Sequence, residues 1–366
     1  MNRKIELDAP NVGTLEKEYL NHCIDSTFIS TFGPFVPEFE DKFAHYIGTK
    51  WAVSTQSGSA ALHMALYELG INKGDEIIVP NLTFIATINS ILYVGAIPVI
   101  VDVDPVTWNI DPMEIKKVIN SKTKAIMPVH LYGSVCHIEE IMSIAHENNL
   151  FVIEDATESL GASCNGQQTG TFGDFGCFSF NGNKLITTGG GGMIVSNDRK
   201  KAEHVKFLVN QARDASKGYY HPELGFNYRM TNIEASLGLA QLDRINEFLD
   251  KKIAFRKIYQ EKFYDLPYIQ FQEESDNSNG SWWLTAIKIE REIDISNFMI
   301  KLKDKGIPTR RIFMPVSEMP YLRDYSRLCP NAYEIYKKGI CLPSSTLNEE
   351  KDIRKAASII KEVLNG

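Results

Sequence analysis

The chain has 366 residues, 43% of them hydrophobic and 23% charged, enough for a sizeable core and about two domains of ordinary size. Its formal net charge of -7 gives no long-range attraction for phosphate backbones, which argues against a nucleic-acid partner. No apolar run approaches the roughly 20 residues that a membrane-spanning helix needs. The leading MNRKIELDAP lacks the apolar stretch of a signal peptide, so a cytoplasmic location is expected.

Between about residues 50 and 200 one pattern repeats: a short Val/Ile-rich run, a helical stretch, then another apolar run. The runs expected as strands are Trp51–Thr55, Glu76–Pro80, Pro98–Val101, Ala125–Val129, Phe151–Glu154, Gly176–Phe180 and Met193–Val195. Several are almost continuously apolar, as strands covered on both faces must be. The intervals are long enough for crossover helices, so an α/β domain with a mainly parallel central sheet is expected. A helix is expected from near Asn232, with Ile233, Leu237, Ala240 and Leu242 at helical spacing, and a charged helix through Asp250–Phe263. A strand is then expected at Trp282–Ile289, and helices at Ile295–Lys305 and Lys351–Leu364. The texture change divides the chain into a large α/β domain, 1–247, and a smaller α+β domain, 248–366. Cys23, Cys136, Cys164, Cys177, Cys329 and Cys341 show neither metal-ligand spacing nor C-x-x-C, and read as buried thiols in a reducing compartment with no metal site.

Four segments carry chemistry, each with a plainer alternative. Ser57-Gly58-Ser59-Ala60-Ala61 follows a strand and opens an apolar helix, so its backbone N–H groups can meet an anion at the positive helix end; equally, Ser57 or Ser59 is an ordinary cap. Glu154-Asp155 ends a strand, where open α/β sheets bind ligands. An acid there suits a protonated ring nitrogen or simply caps a loop, and Asp102 and Asp104 hold a comparable place. Lys184 lies in SFNGNK between apolar runs and precedes Gly189-Gly190-Gly191-Gly192. A desolvated lysine suits Schiff-base chemistry, and glycines let backbone pass close to a ligand; the alternatives are a surface lysine and a flexible loop. Gly225-Phe226-Asn227-Tyr228-Arg229-Met230-Thr231-Asn232 offers an amide and a guanidinium for phosphate, or a loop and a cap.

Together SGSAALHMAL, GDEIIVPNLTFIATINS, VHLYG, VIEDATES, SFNGNK, TTGGGGM and GFNYRMTN, in this order, resemble the DegT/DnrJ/StrS-type sugar aminotransferases. The resemblance runs from near residue 29 to GICLPSS at 339–345. It implies the aspartate aminotransferase-like fold type I of enzymes that use pyridoxal 5′-phosphate (PLP). It makes Lys184 the lysine joined to the coenzyme aldehyde and Asp155 the partner of the pyridine nitrogen. Glu158 falls near the phenolic oxygen, Phe84 on the ring, and Gly58, Ser59 and Ser179 at the phosphate. Asn227 matches a residue that reaches the phosphate from a partner subunit, implying a homodimer with shared active sites.

The resemblance also implies two half-reactions, with L-glutamate as amino donor and a nucleotide-linked 4-keto-6-deoxy sugar as acceptor. GGGG replaces the usual GEGG, with Gly190 at the glutamate position. FNGNK and NQAR resemble enzymes acting on UDP-linked acetamido sugars of the bacillosamine type, whereas PVHLYG, GFNYRMTN and GLAQLDR resemble GDP-perosamine synthases. The UDP-linked sugar is narrowly preferred, and surface polysaccharide, lipopolysaccharide and O-antigen supply all fit. Lys184 stands where the dehydrase branch of the family has histidine, and a non-catalytic regulator would lack either this lysine or a complete cradle. His130, Arg229 and Arg310 are candidate substrate contacts, His130 alternatively closing a strand end; Arg311 joins Arg310 as a possible diphosphate ligand or a solvated neighbour.

Overall fold

The computed structural model describes residues 4–365. Its large sheet contains β1 (Trp51–Thr55), β2 (Glu76–Pro80), β3 (Ile97–Val101), β4 (Thr123–Ile126), β5 (Phe151–Asp155), β6 (Phe175–Ser179) and β7 (Gly192–Ser196). The strand order is β1-β7-β6-β5-β4-β2-β3. All neighbouring pairs are parallel except those of β7, which runs against both β1 and β6. Six strands therefore point their carboxyl ends at one edge, and the turns that follow them meet there.

Side-chain alternation splits the apolar strands between two cores. Ile77, Val79, Ile100 and Ile153 pack with Leu62 and Leu66 of the helix Gly58–Glu68 on one face, while Ile78, Val99, Ile126 and Val152 pack with Ile141 and Ile144 of the helix Ile138–Glu147 on the other. Burial of each such side chain contributes about 1.5–3 kcal/mol, so helices cover both faces of the parallel sheet. Gly58–Glu68 is apolar nearly all round because it is covered nearly all round. β4 ends three residues before the expected Val129. Pro128 has no N–H to continue the ladder; its carbonyl instead accepts the Asp155 N–H at 2.9 Å, and Val129 bridges to Asp155.

A second sheet contains β8 (Ile269–Phe271), β9 (Ala286–Ile289), β10 (Arg310–Arg311) and β11 (Gly339–Cys341) in the order β8-β9-β11-β10, antiparallel throughout. Phe255, Tyr259, Ile287, Ile340 and Ile360 form its core with the helices Ile295–Asp304 and Glu350–Asn365. The helical region expected from Asn232 is two helices, Asn232–Asp243 and Ile245–Phe263. Ile245 and Phe248 pack with Phe180 and Leu239 against the large sheet, whereas Phe255 onward belongs to the second core, so one helix carries the junction. The strand expected from Trp282 starts only at Ala286. Trp282 has a left-handed φ of 50°, and Ser281 N–H pairs with Gly133 O at 2.9 Å, drawing this stretch toward the large sheet. Two unanticipated helices, Thr14–Ser26 and Phe35–Ile47, pack on Asn232–Asp243. Among the described residues no helix is long and apolar enough to cross a membrane.

Candidate active site

A cavity of about 510 Å³ opens where the large sheet's carboxyl ends meet the second sheet. Open α/β sheets place their ligands at this edge. The turn and helix start after β1 supply Ser57, Gly58 and Ser59, and the turn and helix start after β2 supply Thr83, Phe84 and Thr87. Asp155, Thr157 and Glu158 come from the end of β5, and Ser179, Asn181, Asn183 and Lys184 from the end of β6. Trp283, Arg310 and Phe313 close the other side.

Asp155 is 2% exposed, and both its side-chain partners are uncharged. Thr87 Oγ1 donates to Oδ2 at 2.7 Å and the Thr157 N–H donates to Oδ1 at 3.2 Å. Thr87 Oγ1 also lies 2.8 Å from Thr83 Oγ1, which ties the Phe84 turn to the carboxylate. A buried carboxylate with neutral partners, aimed into a cavity, calls for a cationic atom on the ligand. Asp102 and Asp104 are otherwise engaged. Asp102 accepts the N–H groups of Asn331 and Ala332, both at 2.9 Å, and Asp104 those of Val106 and Thr107 at 2.9 and 2.7 Å.

Lys184 Nζ stands 3.5 Å from Glu158 Oε1 and 4.1 Å from the centroid of the Trp283 ring. Glu158 is held from behind by the Tyr132 N–H, 2.9 Å from Oε2. Burial raises the Glu158 carboxyl above its usual range, and the Lys184 ammonium and the Tyr132 N–H draw it back only in part. A carboxyl so placed can hold or return a proton beside the amine.

Gly58 and Ser59 open the helix Gly58–Glu68 at the cavity wall, with Ser57 capping it through a 3.1 Å bond from the Ala60 N–H. A methyl group on Gly58 would lie 2.9 Å from Ser179 Cβ and 3.1 Å from Thr157 Cγ2, so Gly58 keeps this corner open. Backbone N–H groups at a helix start, with Ser59 and Ser179 beside them, make an anion cradle. Across the cavity Phe84 is 54% exposed, its ring 5.7 Å from that of Phe313.

The model of the DegT/DnrJ/EryC1/StrS aminotransferase family matches residues 10–361. The chain belongs to this family. It is 42% identical to GDP-perosamine synthase of Escherichia coli O157:H7 over 97% of each chain. It is 39% identical to GDP-perosamine synthase of Caulobacter vibrioides over 99% of this chain and 98% of the relative. Among solved structures, Spr1654 of Streptococcus pneumoniae in its PLP form superposes with a TM-score of 0.92 at 25% identity, covering 99% of this chain and 100% of that one.

Aminotransferases of this family use PLP, and the wall fits that coenzyme: a buried carboxylate without a cation for a protonated ring nitrogen, a helix start for a phosphate and an amine for an aldehyde. Bound there, PLP supplies an electron sink for a carbanion. Asp155 would keep the ring nitrogen protonated, Gly58, Ser59 and Ser179 would hold the phosphate, and Phe84 would cover the ring. Lys184, once free, would move a proton at its Nζ, with Glu158 beside it.

The remaining candidates fall elsewhere. His130 is fully buried and does not reach the cavity. The Cys136 N–H donates to its Nδ1 at 3.1 Å, so Nε2 carries the proton and donates to Glu154 Oε2 at 3.0 Å. Glu154 also accepts the N–H groups of Gly170, Phe172 and Gly173 at 2.7, 2.7 and 2.8 Å. His130 thus braces the strand end behind Asp155, the strand-closing alternative of the sequence reading. Arg311 turns away to Tyr336, donating to its carbonyl at 2.9 Å. Arg229 and Asn227 are not in the wall formed by this chain. Asn227 is exposed beside the Asn210 backbone, and Arg229 stacks 5.9 Å over Phe32. Sequence reasoning missed Thr87 and Trp283 in the wall, and Asp8 behind it on Arg310 and Asn183. The LTFIAT spacing sets Thr83 and Thr87 one helical turn apart, a usable signal; Trp283 and Asp8 reach the site only through tertiary packing.

Proposed function

We propose that this enzyme transfers an amino group from L-glutamate to C4 of GDP-4-keto-6-deoxymannose, making GDP-perosamine. The observation that carries this reading is the 42% identity to a GDP-perosamine synthase over 97% of both chains. It moves the preference away from the UDP-linked acetamido sugar that FNGNK and NQAR favour and toward the guanosine sugar. Glutamate leaves as its 2-oxo acid, and the sugar's keto carbon becomes the amine-bearing carbon. In this reading Lys184 would bind the coenzyme aldehyde and, once free, move a proton at its Nζ, while Asp155 would pair with the ring nitrogen. Glu158 would lie by the phenolic oxygen, Phe84 would cover the ring, and Gly58, Ser59 and Ser179 would cradle the phosphate. The working form is a cytoplasmic homodimer in which Asn227 of one subunit completes the phosphate site of the other. The exposed Phe28, Ile29, Phe32, Tyr219 and Leu224 around this region support such a contact.

The deciding experiment is a panel of GDP-, UDP- and dTDP-linked 4-keto-6-deoxy sugars incubated with glutamate and scored by product mass. Amination of the GDP sugar at the highest kcat/KM is expected. A clear preference for a UDP-linked acetamido sugar would overturn the nucleotide assignment, and a fully active monomer would overturn the shared site.

A further inference from the structure

Among the described residues, Lys184 and Arg310 are the two cationic side chains in the cavity wall, and Lys184 is committed to the coenzyme in the reading above. Arg310 already has a carboxylate on it. Asp8 Oδ2 lies 2.7 Å from Arg310 Nη1 and accepts Asn183 Nδ2–H at 3.1 Å, next door to Lys184. The Asp8 side chain is only 12% exposed. Its backbone is stitched down on both sides. Leu7 O accepts the Ser344 N–H at 2.7 Å and Ala9 O accepts Ser345 Oγ–H at 2.7 Å. Glu6 exchanges two bonds with Asn348, at 2.9 and 2.7 Å. Asp8 is therefore a fixed group, held by residues 6–9 against two residues of the cavity wall.

An aminotransferase uses one cavity for two unlike ligands. An α-amino acid brings a carboxylate next to its reacting carbon; a keto-sugar brings none there. The Arg310 side chain is 38% exposed in the open cavity; a sugar seated over it would strip that water and, without a counter-ion, leave the cation unpaired, which is costly. A guanidinium has five donors in a fork, more than one carboxylate oxygen at Nη1 can use. We propose that Arg310 is the carboxylate subsite for the amino donor and that Asp8 is its resident counter-ion, neutralising it whenever the sugar nucleotide is bound. The inference rests on the aminotransferase reading above but not on which nucleotide the sugar carries. Asp8 and the donor's carboxylate share one cation, so they weaken each other's hold on it.

The test follows each half-reaction separately in the holoenzyme by the coenzyme's absorbance: L-glutamate alone, then the sugar nucleotide added to the amine-loaded form. Arg310→Gln is expected to raise the apparent Kd for glutamate by roughly 10- to 100-fold, the loss of a charge-assisted bond, with the sugar half-reaction little changed. Arg310→Lys, which keeps the charge and loses the fork, should fall between and covers the case in which the glutamine variant misfolds. Asp8→Asn should do the opposite. Glutamate should bind severalfold tighter, and glutarate, used as an unreactive dicarboxylate probe, should inhibit the sugar half-reaction more strongly than in the parent enzyme. An Asp8 that merely props up the wall would weaken both half-reactions, and that result overturns the proposal. So does an Arg310→Gln variant that slows the sugar half-reaction alone, which would put the diphosphate at this arginine. If the sugar panel contradicts the GDP assignment while glutamate binding keeps this pattern, only the nucleotide reading falls.

Discussion

Gly58→Ala tests whether the coenzyme's phosphate sits at the start of the helix Gly58–Glu68. The added methyl would meet Ser179 Cβ at 2.9 Å, Thr157 Cγ2 at 3.1 Å and Phe178 O at 3.4 Å. Ordinary carbon contacts lie near 3.5–4.0 Å, so the helix start must back away from the ends of β5 and β6 by about half an ångström or more. Ser179 belongs to the cradle, and the Thr157 N–H is one of the two donors on Asp155. The displacement therefore misaligns the phosphate and ring-nitrogen contacts together. Overpacking of this size costs about 1–3 kcal/mol; read out in coenzyme affinity at about 1.4 kcal/mol per decade, that is roughly 5- to 150-fold weaker binding. The assay strips the coenzyme and titrates PLP back while following its absorbance. Gly182→Ala is the matched control, because nothing lies within 4 Å of a methyl there. A folded Gly58→Ala protein that takes up PLP as tightly as the parent would refute the placement of the cradle.

Other perturbations probe the remaining parts. Lys184→Ala should leave the circular dichroism unchanged, lower turnover by at least the 10²- to 10⁴-fold typical of a lost acid–base group, and leave borohydride nothing to fix at position 184; ordinary turnover would dismiss the role. Asp155→Asn removes the charge facing the ring nitrogen; losing one partner of a buried pair costs ~3–5 kcal/mol, so turnover should fall by roughly 10²-fold or more, and near-normal rates would contradict the pairing. Lys252 donates to Trp283 O at 2.7 Å and Ser344 O at 2.6 Å, and burial pulls its ammonium down to about 7. Between about pH 7 and the ordinary lysine value the unfolded chain binds the extra proton. Stability should therefore rise with pH in this window, by at most about 1.4 kcal/mol per unit. Urea unfolding of the parent and of Lys252→Met at pH 7 and pH 9 should give a gap that widens in the parent's favour; parallel curves would count against it.

Much of the fold is written in local pattern. Glu76–Pro80 and Phe151–Asp155 are strands where continuous apolar runs say so, and Ser57 caps the expected helix. Errors come where one residue's backbone decides. Pro128 stops β4 early, and Trp282 in a left-handed conformation delays β9, and neither effect has a hydrophobic period. In the site, the cluster of Asp155, Lys184 and Gly58 follows from strand order, since each stands at or shortly past a strand's carboxyl end. His130 stands in the same kind of place, yet faces inward to Glu154. Only the packed structure separates these two outcomes, because both need a polar residue at a strand end. Asp8 was illegible for another reason: its partners, Arg310 and Asn183, lie far off in the chain and meet it only after both cores have formed.

The glycine run shows how the one reversed strand builds the site. β7 returns antiparallel between β1 and β6, so its first residues pass directly beneath the turn that holds Ser57 and Gly58. A Cβ on Gly192 would sit 2.5 Å from Ser57 C, and one on Gly191, whose φ is +87°, 2.8 Å from Met230 Cε. Both must be glycine if the cradle is to lie on this strand. Gly190 differs: its Cβ would meet nothing nearer than Glu234 Oε1 at 3.3 Å. A methyl there is tight but needs Glu234 to give by only a few tenths of an ångström. What a glutamate at 190 would meet is a second carboxylate, Glu234, already locked by the Thr231 N–H and Oγ1 at 2.8 Å each as the cap of the helix Asn232–Asp243. A second carboxylate carried beside that one would repel it, so in this chain the glycine at 190 spares the cap of the helix Asn232–Asp243, which begins shortly after Asn227, the residue assigned above to the neighbouring subunit's phosphate.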